Sequence, residues 1–157
     1  DEPTTALDVT IQAQILELMQ ELQKKMGMAI IMVTHDLGVI ASMCDEIIVM
    51  YGGRVCERGT AEDIFYRAGH EYTKGLLRSV PKADGSKERL VPIAGTPINL
   101  LNMPKGCAFC TRCDEAMKIC LTEVPPQVQM PDGHFASCWL AFKKLKNGTL
   151  GAEEVQS

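Results

Sequence analysis

A continuous apolar run, MAIIMV at residues 28–33, constrains the fold of this chain more than any other feature. Runs of this length without polar alternation are typical of strands that are buried on both faces, as in parallel sheets. Just before it, residues 9–26 repeat apolar side chains every three or four positions, which predicts an amphipathic helix between Asp8 as N-cap and Gly27 as C-cap. A helix followed by a buried strand predicts an α/β sheet with parallel strands.

A hairpin is expected next along the chain. EIIVMY at residues 46–51 predicts another strand, and the following Gly52-Gly53 predicts a tight turn. RVCERG at residues 54–59 alternates in polarity and predicts the return strand. A short polar stretch and a short helix that ends near Cys44 separate this hairpin from the first predicted strand.

After the hairpin the sequence predicts helices and then changes character. Thr60 with Asp63 three residues later is typical of a helix start, and HEYTKGLLRSV at residues 70–80 predicts a second helix. Residues 81–89, PKADGSKER, are polar and contain Pro and Gly, which predicts a linker.

Prolines and cysteines dominate the sequence beyond residue 90, and they argue against long helices or central strands there. Such a region buries too little apolar surface to fold on its own, so we expect a metal to hold it together. We therefore expect residues 1–80 to form one domain, residues 81–142 a small irregular cysteine-rich extension, and residues 143–157 a polar tail that frays.

The charge and hydropathy of the sequence argue against a nucleic-acid partner and against a membrane-spanning helix. The formal net charge is −4 and no block of Lys or Arg occurs, which argues against a nucleic-acid partner. No apolar run approaches the roughly 18 residues that a membrane-spanning helix needs.

The two leading acids and one histidine form a candidate site. His35 follows the predicted strand directly, and Asp1 and Glu2 would lie at the same sheet edge if a strand preceded them. One carboxylate there suits hydrated Mg²⁺, the second suits a water nucleophile, and a histidine can donate to a phosphate oxygen. The alternative interpretation is a solvated chain end with an ordinary helix cap in the Thr34–Asp36 stretch.

Five of the seven cysteines lie within 32 residues, as Cys107, Cys110, Cys113, Cys120 and Cys138. Their clustering favours a metal over disulfides or buried free thiols. The first three follow C-x2-C-x2-C, as in bacterial ferredoxins, although the end of that pattern is missing. Four thiolates could equally make a closed zinc site. Arg112 beside them is expected to face solvent, and His70 and His134 are expected to be capping or surface residues, with His134 a minor candidate for a metal ligand.

The motifs DEPTTALD, VTHDL and DEIIVMYGGRVCERG, separated by a helix and a buried strand, closely resemble the C-terminal half of an ABC-transporter ATPase domain, a P-loop NTPase fold. The resemblance covers residues 1 to about 80. It implies that Asp1 is the Walker B aspartate that holds Mg²⁺ through water, and that Glu2 is the catalytic base. It also implies that Thr5–Asp8 is the D-loop, with Asp8 near a partner ATPase subunit, and that His35 is the switch histidine at the γ-phosphate.

Three further motifs of that family do not occur in the 157 residues: the GxxxxGK[ST] loop that cradles phosphates, the LSGGQ-type signature and the glutamine loop. All three precede Walker B in the family. The resemblance therefore implies a chain that starts at the last two residues of Walker B, and we expect these residues alone to be inactive.

Residues 65–140 resemble the C-terminal extension of the oligopeptide/dipeptide subfamily, in FYRAGHEYTKGLLRSVP and the cysteine-rich stretch. In that subfamily four cysteines bind a [4Fe–4S] cluster. The matching positions are Cys107, Cys113, Cys120 and Cys138. Cys110 stands where relatives usually have another residue and could compete, and Zn²⁺ is the alternative metal.

Together the two resemblances imply an ATP- and Mg²⁺-dependent subunit of an importer for oligopeptides or dipeptides. The resemblance implies a second ATPase subunit, two membrane permease subunits, an extracytoplasmic peptide-binding protein, and a peripheral position on the cytoplasmic face of the membrane. Two alternatives stay open: an importer of nickel or another small solute, and a metal-binding interaction module.

Overall fold

A computed structural model describes residues 1–3, 7–80 and 90–148. The predicted linker at 81–89, the first half of the D-loop and the end of the tail lie outside the described residues. The chain divides into two compact units, residues 1–45 and residues 46–157. No helix in the described part is long and apolar enough to cross a membrane.

Residues 1–45 contain two helices, α1 (Val9–Met26) and α2 (Leu37–Met43). The predicted bounds and caps of α1 are confirmed. The Asp8 side chain accepts from the amides of Thr10 and Ile11, and Gly27 ends the helix with φ +63°, where glycine costs least.

The strand predicted at residues 28–33 is wrong for this structure. A strand needs a hydrogen-bonded neighbour. Within the described residues, the carbonyl of Val33 accepts from the amide of Glu2, but no ladder forms along the segment. Ile31 is accordingly 93% exposed. The apolar pattern marks a segment that can be buried, but burial requires a partner strand.

Residues 46–157 are built on the predicted hairpin, which is confirmed. Strand β1 (Ile47–Tyr51) pairs antiparallel with β2 (Arg54–Gly59), and the two glycines between them have φ +56° and +74°. Helices α3 (Ala61–Tyr66) and α4 (Glu71–Arg78) follow. Thr60 and Asp63 form the predicted capping box at the start of α3.

The rest of this unit consists of short elements. Two 3-10 turns, Leu100–Asn102 and Cys110–Arg112, precede α5 (Lys118–Thr122), β3 (Val128–Gln129), β4 (Phe135–Ala136) and α6 (Trp139–Lys146). The sheet order is β1-β2-β4-β3, and every pair of described strands is antiparallel. The predicted parallel pairing is therefore not found in the described residues. The polar tail predicted from residue 143 also begins too early, because Ala141 is buried and α6 runs to Lys146.

The core of this unit joins the hairpin to the cysteine-rich region. The rings of Tyr51, Tyr72 and Phe109 contact one another in tilted and edge-to-face geometry, with centroids 4.7, 5.2 and 5.3 Å apart. A second cluster packs Met130, Ala136 and the buried Ala141 of α6 together. The first cluster packs the extension against the hairpin, whereas the second is formed by residues from 128 onwards alone. The hairpin thus supplies apolar partners that the expectation for residues 90–140 alone did not include.

Candidate functional site

Residues 1–45 bring the predicted acid and histidine together. His35 Nδ1 lies 2.8 Å from Glu2 Oε1. The backbone of Glu2 is held as well, since its amide donates to the carbonyl of Val33 over 2.7 Å. Glu2 has φ +41°, in the left-handed region where a residue with a side chain is strained. Two contacts from the segment before α2 thus hold Glu2 in an unfavourable backbone conformation.

The pair is open to solvent, with 77% of the His35 side chain and 43% of the Glu2 side chain exposed. When Nδ1–H donates to the carboxylate, Nε2 is the ring nitrogen that remains for a ligand. The carboxylate therefore selects the tautomer and orients the imidazole. In this neutral tautomer Nε2 can accept from a water, and in the doubly protonated ring it can donate to an anionic oxygen.

The other two predicted acids are placed differently. Asp1 is exposed beside Glu2, and among the described residues its side chain makes no hydrogen bond or ion pair with His35. Asp8 is occupied in capping α1, where Oδ1 accepts from Thr10 N at 3.1 Å and from Ile11 N at 3.2 Å. The structure joins Glu2 to His35 and does not join Asp1 or Asp8 to them.

Asp36, directly after His35, caps α2. Its Oδ1 accepts from the amides of Gly38 at 2.8 Å and Val39 at 3.2 Å. These amide donors, Val39 first, hold the pKa of Asp36 below its ordinary value despite partial burial. The helix-cap interpretation of this stretch is thus correct for Asp36, and it leaves His35 free to contact Glu2.

The clustered cysteines lie in residues 46–157 as free thiols. The amide of Cys107 donates to the carbonyl of Cys120 over 2.8 Å, which brings two distant parts of the extension together. Gly106 permits this approach, because a Cβ at that position would clash with the Cys120 carbonyl.

Burial raises the pKa of Cys107 to about 11 and that of Cys113 to about 12. Neighbouring thiols raise these pKa values further: Cys120 and Cys138 act on Cys107, and Cys138 acts on Cys113. The four predicted ligands are therefore electrostatic neighbours, and the raised pKa values of Cys107 and Cys113 keep those two thiols protonated at neutral pH. Cys110 is buried, and its thiol also lies near that of Cys120.

These thiols are not spaced for a single ion. Across the described ranges, which include all seven cysteines, no three sulfurs lie within 4.8 Å of one another. A zinc ion with four thiolates holds its sulfurs roughly 3.8 Å apart, given Zn–S bonds of about 2.3 Å. Arg112 does not face solvent as expected, because its guanidinium donates to the carbonyls of Ile93 and Ala94 and to the hydroxyl of Tyr51.

A polar cluster around Glu57 was not predicted from the sequence. We call it the Glu57 cluster; its members are Glu57, Asp63, Arg67, Asp132 and His134, of which Glu57, Asp63 and His134 are buried. His134 Nε2 lies 3.1 Å from Glu57, and its Nδ1 lies 2.5 Å from Asp132. Glu57 also accepts from the amides of Gly69 and His70.

Arg67 completes the Glu57 cluster, with ion pairs to Asp63 and to Asp132 at 2.6 and 3.1 Å. Burial raises the pKa of Asp63, but hydrogen bonds from Thr60 and Arg67 outweigh it and lower the pKa to about 2. Glu57 sits in an alternating strand where its polarity predicts an outward side chain, so only the tertiary fold reveals its burial.

His70 and His134 are both buried in this unit. His70 caps α4, as expected, by accepting from the amide of Tyr72, and burial lowers its pKa to about 4. His134 is not a surface residue, since its side chain is fully buried between two carboxylates. Asp63, Asp132 and His134 place ligand atoms within 4.8 Å of one another, but Arg67 already supplies the positive charge at the two acids.

Comparison with known proteins adds a family relationship. Residues 56–120 match the family model of the oligopeptide/dipeptide transporter C-terminal region. The resemblance of the extension found in the sequence is thereby confirmed, and the matched residues include the end of β2 from Cys56 and four of the five clustered cysteines.

Similarity to curated relatives extends over nearly the whole chain. It is 49% identical to the dipeptide transport ATP-binding protein DppD of Bacillus subtilis over 98% of this chain and 46% of that protein. It is 51% identical to the oligopeptide transport ATP-binding protein OppD of Haemophilus influenzae, over 92% of this chain and 45% of that protein. The corresponding protein OppD of Bacillus subtilis is 54% identical over 89% and 39%. The chain thus spans less than half the length of these relatives.

Proposed function

We propose that this chain is the C-terminal part of the ATP-hydrolysing subunit of an importer for oligopeptides or dipeptides. The relatives are named as dipeptide and oligopeptide transport ATP-binding proteins, which favours peptides over nickel or another small solute. The contact of His35 with Glu2 at 2.8 Å is the observation that carries the proposal, because hydrolysis by water needs an oriented acceptor.

In the proposed reaction Glu2 accepts a proton from the attacking water, and His35 stabilises the γ-phosphate oxygens. The Glu2 carboxylate is accessible to water, and its contact with Nδ1 orients the imidazole. Nε2 donates to a phosphate oxygen when both ring nitrogens carry a proton. The strained backbone of Glu2 is typical of a residue held for chemistry.

Mg²⁺ fits the remaining acid. Asp1 offers exposed carboxylate oxygens, the ligand type that Mg²⁺ prefers, and binding through water suits its strong hydration. When bound, Mg²⁺ neutralises charge on the nucleotide phosphates. The loops that cradle those phosphates are expected in a longer chain, so residues 1–157 alone should neither bind ATP tightly nor hydrolyse it.

The proposed assembly contains a second ATPase subunit, two membrane permease subunits and an extracytoplasmic peptide-binding protein. We place this subunit peripherally at the cytoplasmic face of the membrane. Asp8 caps α1 and so fixes the end of the loop that would approach the second ATPase subunit. The net charge of −4 gives no reason to add a nucleic acid.

We further propose a [4Fe–4S] cluster on Cys107, Cys113, Cys120 and Cys138, with Cys110 as the alternative ligand. A multi-iron cluster binds each thiolate to a different iron, so its ligands lie farther apart than those of one zinc ion. The wide spacing and electrostatic proximity of the four thiols favour this arrangement. Metal binding would displace the protons that burial retains and would cross-link the extension.

The hydrolysis proposal is tested in the full-length subunit, assembled with its partners. Glu2→Gln should lower ATP hydrolysis by roughly a hundredfold or more while ATP binding persists, because the isosteric amide cannot accept the proton. Full hydrolysis by this variant would reject Glu2 as the base.

The cluster proposal is tested by anaerobic purification followed by iron, sulfide and zinc analysis. Iron and sulfide in equal amounts are expected, with loss of both in Cys138→Ser and retention in Cys110→Ser. One zinc per chain without sulfide would reject the cluster.

A further inference from the structure

Gln12 connects two segments of residues 1–45 that the proposed reaction uses. In the first turn of α1, its backbone amide donates to the carbonyl of Asp8 over 2.9 Å. Its side-chain Nε2 donates to Asp36 Oδ2 at 3.2 Å, across 24 positions of sequence. One residue therefore contacts both the cap of α1 and the residue that follows His35.

Asp36 divides its two carboxylate oxygens between two elements. Oδ1 accepts from the amides at the start of α2, whereas Oδ2 accepts from Gln12 of α1. The amide of Asp36 in turn donates to the hydroxyl of Thr34 over 3.1 Å. The residues on both sides of His35 are thus fixed, and α1 supplies one of the fixing contacts.

A second glutamine ties the far end of α2 to the same helix. Gln20 Nε2 donates to the carbonyl of Ser42 over 3.3 Å. This contact orients α2 as a whole but lies a full helix away from His35. Gln12 is the tie next to the histidine.

We propose that Gln12 is a positioning residue for His35, which it holds through Asp36 in the orientation that contacts Glu2. The inference rests on the proposed ATP hydrolysis at Glu2. Gln12 touches no reacting atom, so its removal should change turnover and leave ATP affinity unchanged.

The test is a series at position 12 in the full-length, assembled subunit: Gln12→Lys, Gln12→Met and Gln12→Glu. Met has nearly the same shape but no donor, and kcat should fall about tenfold, the usual worth of a hydrogen bond to a charged group. Lys keeps a donor and should stay within about twofold, since it forms a charge-assisted bond. Gln12→Glu places a second carboxylate against Asp36 and should lower kcat most. The KM for ATP should stay unchanged in all three variants.

Gln14, exposed on the same helix, is the matched control, and the same three substitutions there should leave kcat unchanged. Equal kcat for Gln12→Met and wild type would overturn the positioning role. An equal loss of kcat in all three variants, accompanied by a lower melting temperature, would also overturn the positioning role. A change in KM for ATP without a change in kcat would do the same. If the wild type hydrolyses ATP, Glu2→Gln does not, and the three variants at position 12 keep the wild-type kcat, this inference alone would be overturned. No hydrolysis by the wild type would overturn the proposed function itself.

Discussion

Both units contain a carboxylate in contact with a histidine, and the two pairs differ mainly in exposure. Glu2 and His35 are 43% and 77% exposed, whereas the side chains of Glu57 and His134 are fully buried. A buried pair must have all its polar atoms satisfied, and Glu57 accepts from two further amides. The exposed pair is accessible to a ligand from solvent, which suits chemistry, whereas the buried pair suits stability.

Packing shows the same contrast. In residues 1–45, Ile31 is 93% exposed, although the sequence predicts a strand buried on both faces there. In residues 46–148, Ile64 and Phe109 are only 1% and 3% exposed. Helix α1 forms from its caps and its apolar periodicity. Residues 46–148 are stabilised in addition by packing between residues that are distant in sequence.

The largest expected effect is on the buried pair. Glu57→Ala should lower the free energy of unfolding by about 3–5 kcal/mol, because it leaves His134 and two backbone amides without their buried acceptor. Urea denaturation followed by circular dichroism measures this. Glu46→Ala, at an exposed ion pair with Arg58, is the control and should cost much less, because solvent screens this pair. Equal losses in both variants would remove the distinction between buried and exposed carboxylates.

A smaller effect on stability is expected at Gly106, where the backbones of Cys107 and Cys120 approach each other. Gly106→Ala should cost about 1–3 kcal/mol, since the added methyl group forces the Cys107 and Cys120 backbones apart. Iron content after anaerobic purification should fall with it. Gly133→Ala is a glycine control without a close neighbour, although its φ of +99° adds strain of its own. Unchanged stability and iron content in Gly106→Ala would show that this approach is not needed.

The Glu57 cluster should also give stability a pH dependence. The pKa of Asp63 is about 2 in the folded chain against an ordinary 3.8, so its contribution is complete above pH 3.8 and is lost as pH falls towards 2. Asp63→Asn should therefore be less stable than wild type at neutral pH, and the difference should shrink across that acidic window. Acid titration of the unfolding free energy tests this. A difference that stays constant with pH would contradict the assigned ionisation.

The smallest effect is expected at the exposed apolar segment. Ile31→Ala should change the stability of the 157-residue chain by less than about 0.5 kcal/mol, because 93% of the residue is already in solvent. In the full-length subunit, where we expect residues 28–33 to gain a neighbouring strand, the same change should cost about 2–5 kcal/mol. Equal small effects in both proteins would reject the buried strand.

The contrast also explains what could be predicted from sequence. Helix α1, the β1–β2 hairpin and the Thr60 cap depend on neighbouring residues, so local patterns predicted them correctly. The segment at residues 28–33 failed because a strand depends on its partner. Strands β3 and β4 have two residues each, too few to show any periodicity.

A candidate site could likewise be predicted only where its residues belong to local sequence patterns. Glu2 and His35 belong to short motifs in a recognisable order, so sequence indicated them, although their roles remain predictions. Glu57 and His134 are 77 positions apart and meet only through β2–β4 pairing. No local pattern could have joined them.

The central claim is that Glu2 and His35 act as one unit in ATP hydrolysis, and a double-mutant cycle in the assembled full-length subunit tests it most directly. Glu2→Gln and His35→Ala should each abolish most of the turnover. The double variant should lose no more than the worse single variant, because residues that act together are not additive. Losses that multiply in the double variant would show that the two residues act independently and would contradict the account.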